Sequence, residues 1–249
     1  MSFIIAITTA ILRRTLSTSR VALVCLGIAC SSPTEAPSNP REASVRPGAN
    51  QVFLAEDLDV DRFVEIFEGE SREVFIARER IVEALALSPG MAVADVGAGT
   101  GLFLPAFAGE IGRQGRVYAV EISPKFLEHL RERVKTEGLG NVQVVEALED
   151  SVELPAASVD LAFVCDTYHH FEYPRSTLAS LYRAIRPGGS LVIVDFERIP
   201  GVTREWMLEH VRAGKQVFRR EIESAGFRFE GEVSVEGLKE NYVLRFQRP

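Results

Sequence analysis

Apolar and polar positions along this chain follow two rhythms. From residue 91 onward, short apolar runs recur at 91–96, 116–121, 142–146, 159–165 and 190–196. They are rich in Val, Ile and Ala and bounded by Gly, Pro or charged residues, which predicts buried strands. Between them the apolar spacing lengthens to three or four. Phe126, Leu127, Leu130 and Val134 share one helical face behind Ser123-Pro124, and Leu178, Leu181 and Ile185 share another. Helices are therefore predicted near 101–111, 123–137 and 173–186. Strand–helix alternation of this kind implies an α/β fold, doubly wound on a parallel sheet, with ligands at the carboxyl ends of its strands. Ahead of it, Val74, Phe75, Arg78, Ile81, Val82 and Leu85 predict one amphipathic helix that stops at Ser88-Pro89-Gly90, with a shorter helix over 60–68. After it come a predicted helix over 203–225 and two closing strands, around 227–235 and 240–247.

The N-terminus follows neither rhythm. Apolar runs at 3–12 and 21–29 are separated by Arg13, Arg14 and Arg20. The second is too short to span a bilayer and suits the core of a signal peptide. Cys30 follows Leu26-Gly27-Ile28-Ala29, which resembles a bacterial lipoprotein cleavage box and departs from it at Gly27, where Leu is usual. The Pro/Ser-rich stretch that follows reads as an extended tether. The expected organisation is a signal or anchor at 1–30, a flexible tether at 31–50 and one domain at 51–249. The location expected is the cell envelope, with attachment through Cys30, and the alternative is the cytoplasm.

Composition narrows the chemistry. A chain of 249 residues, 46% hydrophobic and 25% charged, suits one globular domain plus extensions. The formal net charge is −7, and the leader holds three arginines and no acid, so the domain is more acidic still. An acidic surface is a poor partner for a phosphate backbone, so nucleic acid is not expected as substrate. Of Cys25, Cys30 and Cys165 only the last falls in the domain, which excludes a disulfide within it. No Cys/His cluster has zinc-site spacing. The pair His169-His170 lacks a third ligand within reach in sequence, so no metal is expected.

The run Asp95-Val96-Gly97-Ala98-Gly99-Thr100-Gly101 joins the first core strand to the following helix, and Glu121 closes the next strand. Glycines let a ligand approach the backbone, and an acid at the end of the second strand can accept both hydroxyls of a ribose. The dinucleotide fingerprint needs a third small residue where Leu102 stands. Asp95 would repel a pyrophosphate but attract the ammonium of a methionine moiety. This pattern resembles the first motif of class I S-adenosylmethionine (SAM)-dependent methyltransferases. The stretch from His169-His170 to Pro187-Gly188-Gly189 and Leu191-Val192-Ile193-Val194 resembles their type 11 branch, which includes ubiquinone and menaquinone biosynthesis enzymes.

That resemblance implies a Rossmann-like sheet of seven strands, mostly parallel with an antiparallel last strand, helices on both faces, and cap helices over 51–90. It implies SAM as cofactor and S-adenosylhomocysteine as product, with a cofactor-binding set of Asp95, Gly97, Ala98, Gly99, Thr100, Gly101, Glu121, Ile122 and Asp166. The adenine contact falls to Glu149 or Asp150 with the backbone of Leu148, because Ala147-Leu148 replaces the family's usual Gly-Asp pair. Asp166, His169 and His170 are the candidate catalytic residues at the fourth strand's end. His suits a general base by its intrinsic pKa. Asp166-Thr167-Tyr168-His169 lacks the two prolines of amino-methylating nucleic-acid enzymes. The expected acceptor is a small molecule or a lipid. His210 and Trp206 sit on the late helix and are candidates for lining the acceptor pocket, with core packing or a solvated helix face as the ordinary role.

Overall fold

A computed structural model describes residues 42–249; the leader, Cys30 and most of the expected tether lie outside the described residues. The chain enters the core through three short helices, α1 (Val60–Phe67), α2 (Glu73–Ile76) and α3 (Arg78–Leu85). Asp59 caps α1 by accepting from the Arg62 N–H. The single helix expected over 74–85 is broken at Ala77, where φ is −90° and ψ is 6°. Arg78 holds the break by donating to the Phe75 carbonyl at 2.8 Å. The apolar stripe runs on across the break, so periodicity does not register it.

The alternation then unfolds as β1 (Ala92–Val96), α4 (Leu104–Ile111), β2 (Arg116–Glu121), α5 (Pro124–Thr136), β3 (Val142–Glu146), β4 (Val159–Cys165), α6 (Pro174–Ala184) and β5 (Ile185–Phe196). The late helix is two, α7 (Glu205–His210) and α8 (Lys215–Ser224), followed by β6 (Arg228–Glu232) and β7 (Asn241–Gln247). Val211 takes an extended conformation and is buried, and Gly214 opens α8. Val211, at the start of the break, is buried and apolar and continues the helical stripe, so the pattern does not register the break there.

The seven strands pair in the order β3-β2-β1-β4-β5-β7-β6. All pairs from β3 to β5 are parallel, and β7 runs antiparallel to β5 and β6. This is the expected doubly wound sheet with its antiparallel ending. Alternate residues of the central strands feed two cores. Ala94, Val96, Ala162 and Val164 pack with α6 and α8 on one face. Val93, Leu161 and Phe163 pack with α3 and α4 on the other. Each fully buried Val, Leu or Phe among them contributes about 1.5–3 kcal/mol.

Two features position the site. β1 lies between β2 and β4, so the order reverses there and a crevice opens beyond the strands' carboxyl ends. The ordered start of the domain also lies earlier than the expected residue 51. The Val45 N–H donates to Glu172 O at 2.9 Å, the Glu42 carboxylate accepts from the N–H groups of Arg175 and Ser176, and Asn50 donates to His170 O. Residues 42–50 are thus fastened to the domain rather than part of a flexible tether, because polar side chains there find backbone partners at the start of α6 and near the β4 end.

Candidate functional site

The crevice is a cavity of about 760 Å³ with one predominantly polar end and one aromatic end. The polar end is built on β1 and β2. Gly97 and Ala98 both donate to Val120 O, which folds the glycine turn back over β2. Glu121 then locks it: one carboxylate oxygen accepts from the Gly99 N–H at 2.8 Å, and the other from Ile122 and Ser123. The oxygen bonded to Gly99 alone keeps capacity for a further donor, as a ribose hydroxyl requires.

The three glycines do three different things. All have φ between 55° and 89°. A Cβ on Gly97 would lie 2.3 Å from Thr167 Cγ2, so that glycine serves the contact between β1 and the β4 end. A Cβ on Gly101 would meet Leu130 at 2.9 Å and Leu104 at 3.0 Å; it serves helix packing and does not line the cavity. At Gly99 alone the added atom would face the cavity, 3.6 Å from the Phe67 ring. Gly101 is therefore not brought to the site, whereas Asp95, Gly97, Ala98, Gly99, Thr100, Glu121 and Ile122 all line it.

Asp95 is 3% exposed; its backbone is paired in the sheet, and its carboxylate is shaped by burial and by Glu121 and not by any hydrogen bond among the described residues. Burial, and then the charge of Glu121, push its pKa up to about 7. Burial raises Glu121 as well, opposed by its three N–H donors. Two buried carboxylates share one cavity, and no cationic side chain among the described residues neutralises either. A ligand that brings a positive charge and a pair of hydroxyls would resolve this, which is what SAM carries.

After β3, Leu148 and Glu149 line the cavity and Asp150 does not. The Leu148 N–H already donates to Ser151 O at 2.9 Å, in an isolated bridge. The Leu148 N–H is therefore already engaged, and Glu149 is the acid of the expected pair that lines the cavity.

At the β4 end the chain makes a 3-10 turn, Tyr168–His170. Asp166 precedes it with φ of 47°, a backbone state that asparagine and aspartate tolerate better than most residues. Both of its oxygens are taken, one by Arg72 and one by Asn241 at 2.6 Å. Burial raises its pKa and Arg72 lowers it. An acid tied on both oxygens is not placed as a base. Asp166 lines the cavity but braces β4, the entry to α2 and the start of β7 against one another.

The histidines are different. His169 is buried, with Nδ1 2.8 Å from Asp195 Oδ1 and Nε2 3.1 Å from Nε2 of His210. Asp195 accepts the Nδ1 proton, so the proton between the two Nε2 atoms belongs to His210. His170 stacks beside them, its ring centroid 4.3 Å from His169 and 5.0 Å from His210. Burial first, then His169 and His210, push His170 down to about 2; burial, then His169 and Arg46, push His210 down to about 4. Spacing along the chain could not find this trio, since His210 lies 41 residues from His169. One signal was present: Asp195, an acid inside the apolar run Leu191-Val192-Ile193-Val194-Asp195-Phe196, is the group that orients His169. Phe196 and Trp206 complete the aromatic end.

A cover closes the cavity. Phe53, Phe63, Phe67 and Phe126 form a chain of ring contacts 5.3–6.2 Å apart, and Phe53 meets His170 edge-on. None of the eight residues of α1 is buried. Glu68, at its end, accepts from the Thr100 hydroxyl at 2.8 Å and from Arg133 at 2.6 Å.

With this geometry in view, the chain's likenesses can be placed. Residues 94–193 match the family model of a methyltransferase domain. A ubiquinone/menaquinone biosynthesis C-methyltransferase from Hydrogenovibrio crunogenus is 28% identical over 123 residues, which is 49% of this chain and 48% of that protein. The Marinomonas enzyme of the same name is 24% identical, over 64% of this chain and 62% of that one. The chain thus spans about half the length of the first curated relatives it matches. Among solved structures, a SAM-dependent methyltransferase from Aquifex aeolicus is 28% identical, with a TM-score of 0.67 over 77% of this chain and 99% of that one. The [4+2]-cyclase SpnF, 16% identical, shares the fold at a TM-score of 0.58 over 70% of this chain and 80% of its own.

Proposed function

We propose that this SAM-dependent methyltransferase domain transfers the methyl group to a small acceptor, aromatic or lipid-like in character, held at the histidine-lined end of the cavity. The observation that carries the cofactor's place is the pair of buried carboxylates with no cation paired to them, Asp95 and Glu121, beside a glycine that leaves room for a ligand. In this reading Asp95 faces the ammonium of the amino-acid portion, Glu121 accepts the ribose hydroxyls, and Glu149 accepts from the adenine amine. The bound cofactor supplies an activated methyl group on a sulfonium, already a good leaving group. The chain's own contribution is placement: holding the acceptor in line accounts for most of the acceleration such a reaction needs. The aromatic cover over Gly99 excludes water, and His169 and His170 line the acceptor's side with His210. Asp166, tied to Arg72 and Asn241, positions this wall and does not exchange a proton.

The acceptor's apolar character is supported by Phe53, Phe196 and Trp206 around the histidines, and by an acidic domain that does not suit nucleic acid. Envelope attachment through Cys30 belongs to the same proposal; it rests on the leader's sequence, and a cytoplasmic enzyme is the alternative. Among the described residues no helix is long and apolar enough to cross a membrane.

Two measurements test the reading together. Calorimetry should show SAM and S-adenosylhomocysteine binding and no binding of NADH. Incubation with isotope-labelled SAM and a panel of phenols, thiols, quinols and lipid extracts should move label into one acceptor class. Cofactor binding without transfer to any acceptor would instead mark a binding module tethered at the envelope.

A further inference from the structure

We propose that His169, His170 and His210 form a binding site for one divalent ion of the zinc class, with a coordination position left open towards the acceptor. The three rings come from two separate elements, the turn after β4 and the end of α7, and meet in the wall of one cavity. Their ligand nitrogens all lie within 4.8 Å of one another. In a tetrahedral zinc site, with Zn–N distances of about 2.0–2.1 Å, neighbouring nitrogens stand about 3.3 Å apart. The Nε2 atoms of His169 and His210 are 3.1 Å apart, close to that edge. The remaining separations close by a side-chain movement of at most about 1.5 Å.

The surroundings match a metal centre better than a plain hydrogen bond. A proton between two Nε2 atoms joins only His169 and His210 and does not involve the ring of His170 stacked beside them. An ion between the three uses all of them. Asp195, fully buried, accepts from His169 Nδ1 at 2.8 Å and from the His169 backbone N–H at 3.1 Å. A carboxylate behind a ligating imidazole fixes its tautomer and raises its basicity. His170 Nδ1 lies 3.3 Å from Ala49 O, an arrangement that leaves its Nε2 as the lone-pair nitrogen. Arg46 holds the end of α7 by donating to the carbonyls of Glu209 and His210, so the third ligand is anchored through its backbone. The donor set is all imidazole, which suits zinc, iron, nickel or copper and not magnesium or calcium. Three protein ligands and one open position is the pattern of a catalytic zinc site.

What the open position does rests on the methyl-transfer reading above; the metal site itself does not. An O–H or S–H group bound there would release its proton to solvent at a lower pH, as water does on zinc. The acceptor class this favours is a phenol, enol or thiol rather than an unactivated carbon or an amine.

The test uses the full chain, free of affinity tag and stripped with a chelator. Titration with Zn²⁺ should show one site per chain. Co²⁺ should give the intense visible absorption of tetrahedral coordination. His210→Gln, at a half-exposed position, should weaken zinc binding by about tenfold or more while leaving S-adenosylhomocysteine binding and the circular dichroism spectrum unchanged. His170→Gln should do the same, which guards against a folding defect in either variant. Absence of a stoichiometric site, or zinc binding that survives both substitutions, overturns the proposal. Zinc binding lost in both variants of a chain that does not bind S-adenosylhomocysteine would uphold the metal site and sink the cofactor reading instead.

Discussion

The division of labour among the glycines makes a sharp prediction about Gly97 and Gly99. Both have positive φ, 73° and 55°, so alanine at either position meets the same backbone penalty, about 1–2 kcal/mol. The surroundings differ. At Gly97 the new methyl would sit 2.3 Å from Cγ2, 2.6 Å from Oγ1 and 2.9 Å from Cβ of Thr167, inside any permissible contact. Relieving that by moving the strand ends adds an overpacking cost of about 1–3 kcal/mol, for a total of about 2–5 kcal/mol. At Gly99 the nearest atom is the Phe67 ring edge at 3.6 Å, an ordinary contact, so only the backbone cost remains. Gly97→Ala should therefore lower the denaturation midpoint severely. Gly99→Ala should lower it mildly but weaken SAM binding, since its methyl occupies the cavity. Thr167→Ala should recover part of the loss in Gly97→Ala, because it removes two of the three clashing atoms. Chemical denaturation of the four proteins in a double-mutant cycle measures the coupling, and calorimetry on folded samples measures affinity. If Gly97→Ala and Gly99→Ala lose equal stability, or Thr167→Ala gives no rescue, the assignment of Gly97 to packing is wrong.

Glu121→Gln should weaken SAM binding by about tenfold or more, since a hydrogen bond to a charged group contributes about 1.5–3 kcal/mol; unchanged calorimetric affinity would remove Glu121 from the ribose contact. Asp95 has a folded pKa raised to about 7, above its unfolded value near 4, so its destabilisation grows as pH rises through that window and is complete above it. Without cofactor, Asp95→Asn should thus melt higher than the parent at pH 8, with the advantage gone below about pH 4, and should lose SAM affinity; thermal melts across pH decide it. Asp166→Asn breaks the partly buried pair with Arg72 and should cost about 3 kcal/mol, near the low end for such pairs because Arg72 is 22% exposed. Denaturation would reveal that loss, and a stable variant with depressed kcat would restore Asp166 as a catalytic group. Expressed in a bacterium, the full chain should fractionate with membranes and carry an acylated N-terminal Cys30 by mass spectrometry, whereas a soluble product retaining residues 1–29 refutes export.

The sheet was legible because its inner strands are buried on both faces, its edge strand β3 keeps three valines in a run of five, and turn residues bound them all. Runs such as Val142–Glu146 and Val159–Cys165 coincide with the expected strands. The cofactor end was legible for a related reason: a strand, a glycine turn and an acid one strand later are local in sequence, and topology brings them together without further information. What escaped was of two kinds. Breaks at Ala77 and Val211 are buried and apolar, so they leave the helical stripe uninterrupted. The acceptor end is assembled from Asn50, Arg72, His169, Asp195, His210 and Asn241, which lie far apart along the chain. Such groupings follow from tertiary packing, which a linear pattern does not encode. Asp166 shows the converse risk: it stands where a base is expected, yet Arg72 and Asn241 claim its carboxylate.

The cover over the cavity is built to open before the rest of the domain, and on the proposed reading it would set the pace of turnover. α1 completes no core, and it is fastened through the ring contacts of its phenylalanines and the latch from Glu68 to Thr100 and Arg133. An element with so little interior to lose is the one that detaches first under native conditions. In the proposed placement the spent cofactor would lie beneath it and would have to pass it to leave. Turnover would then be metered by a turnstile of two phenylalanines, Phe63 and Phe67, with the chemistry beneath it waiting on the exit.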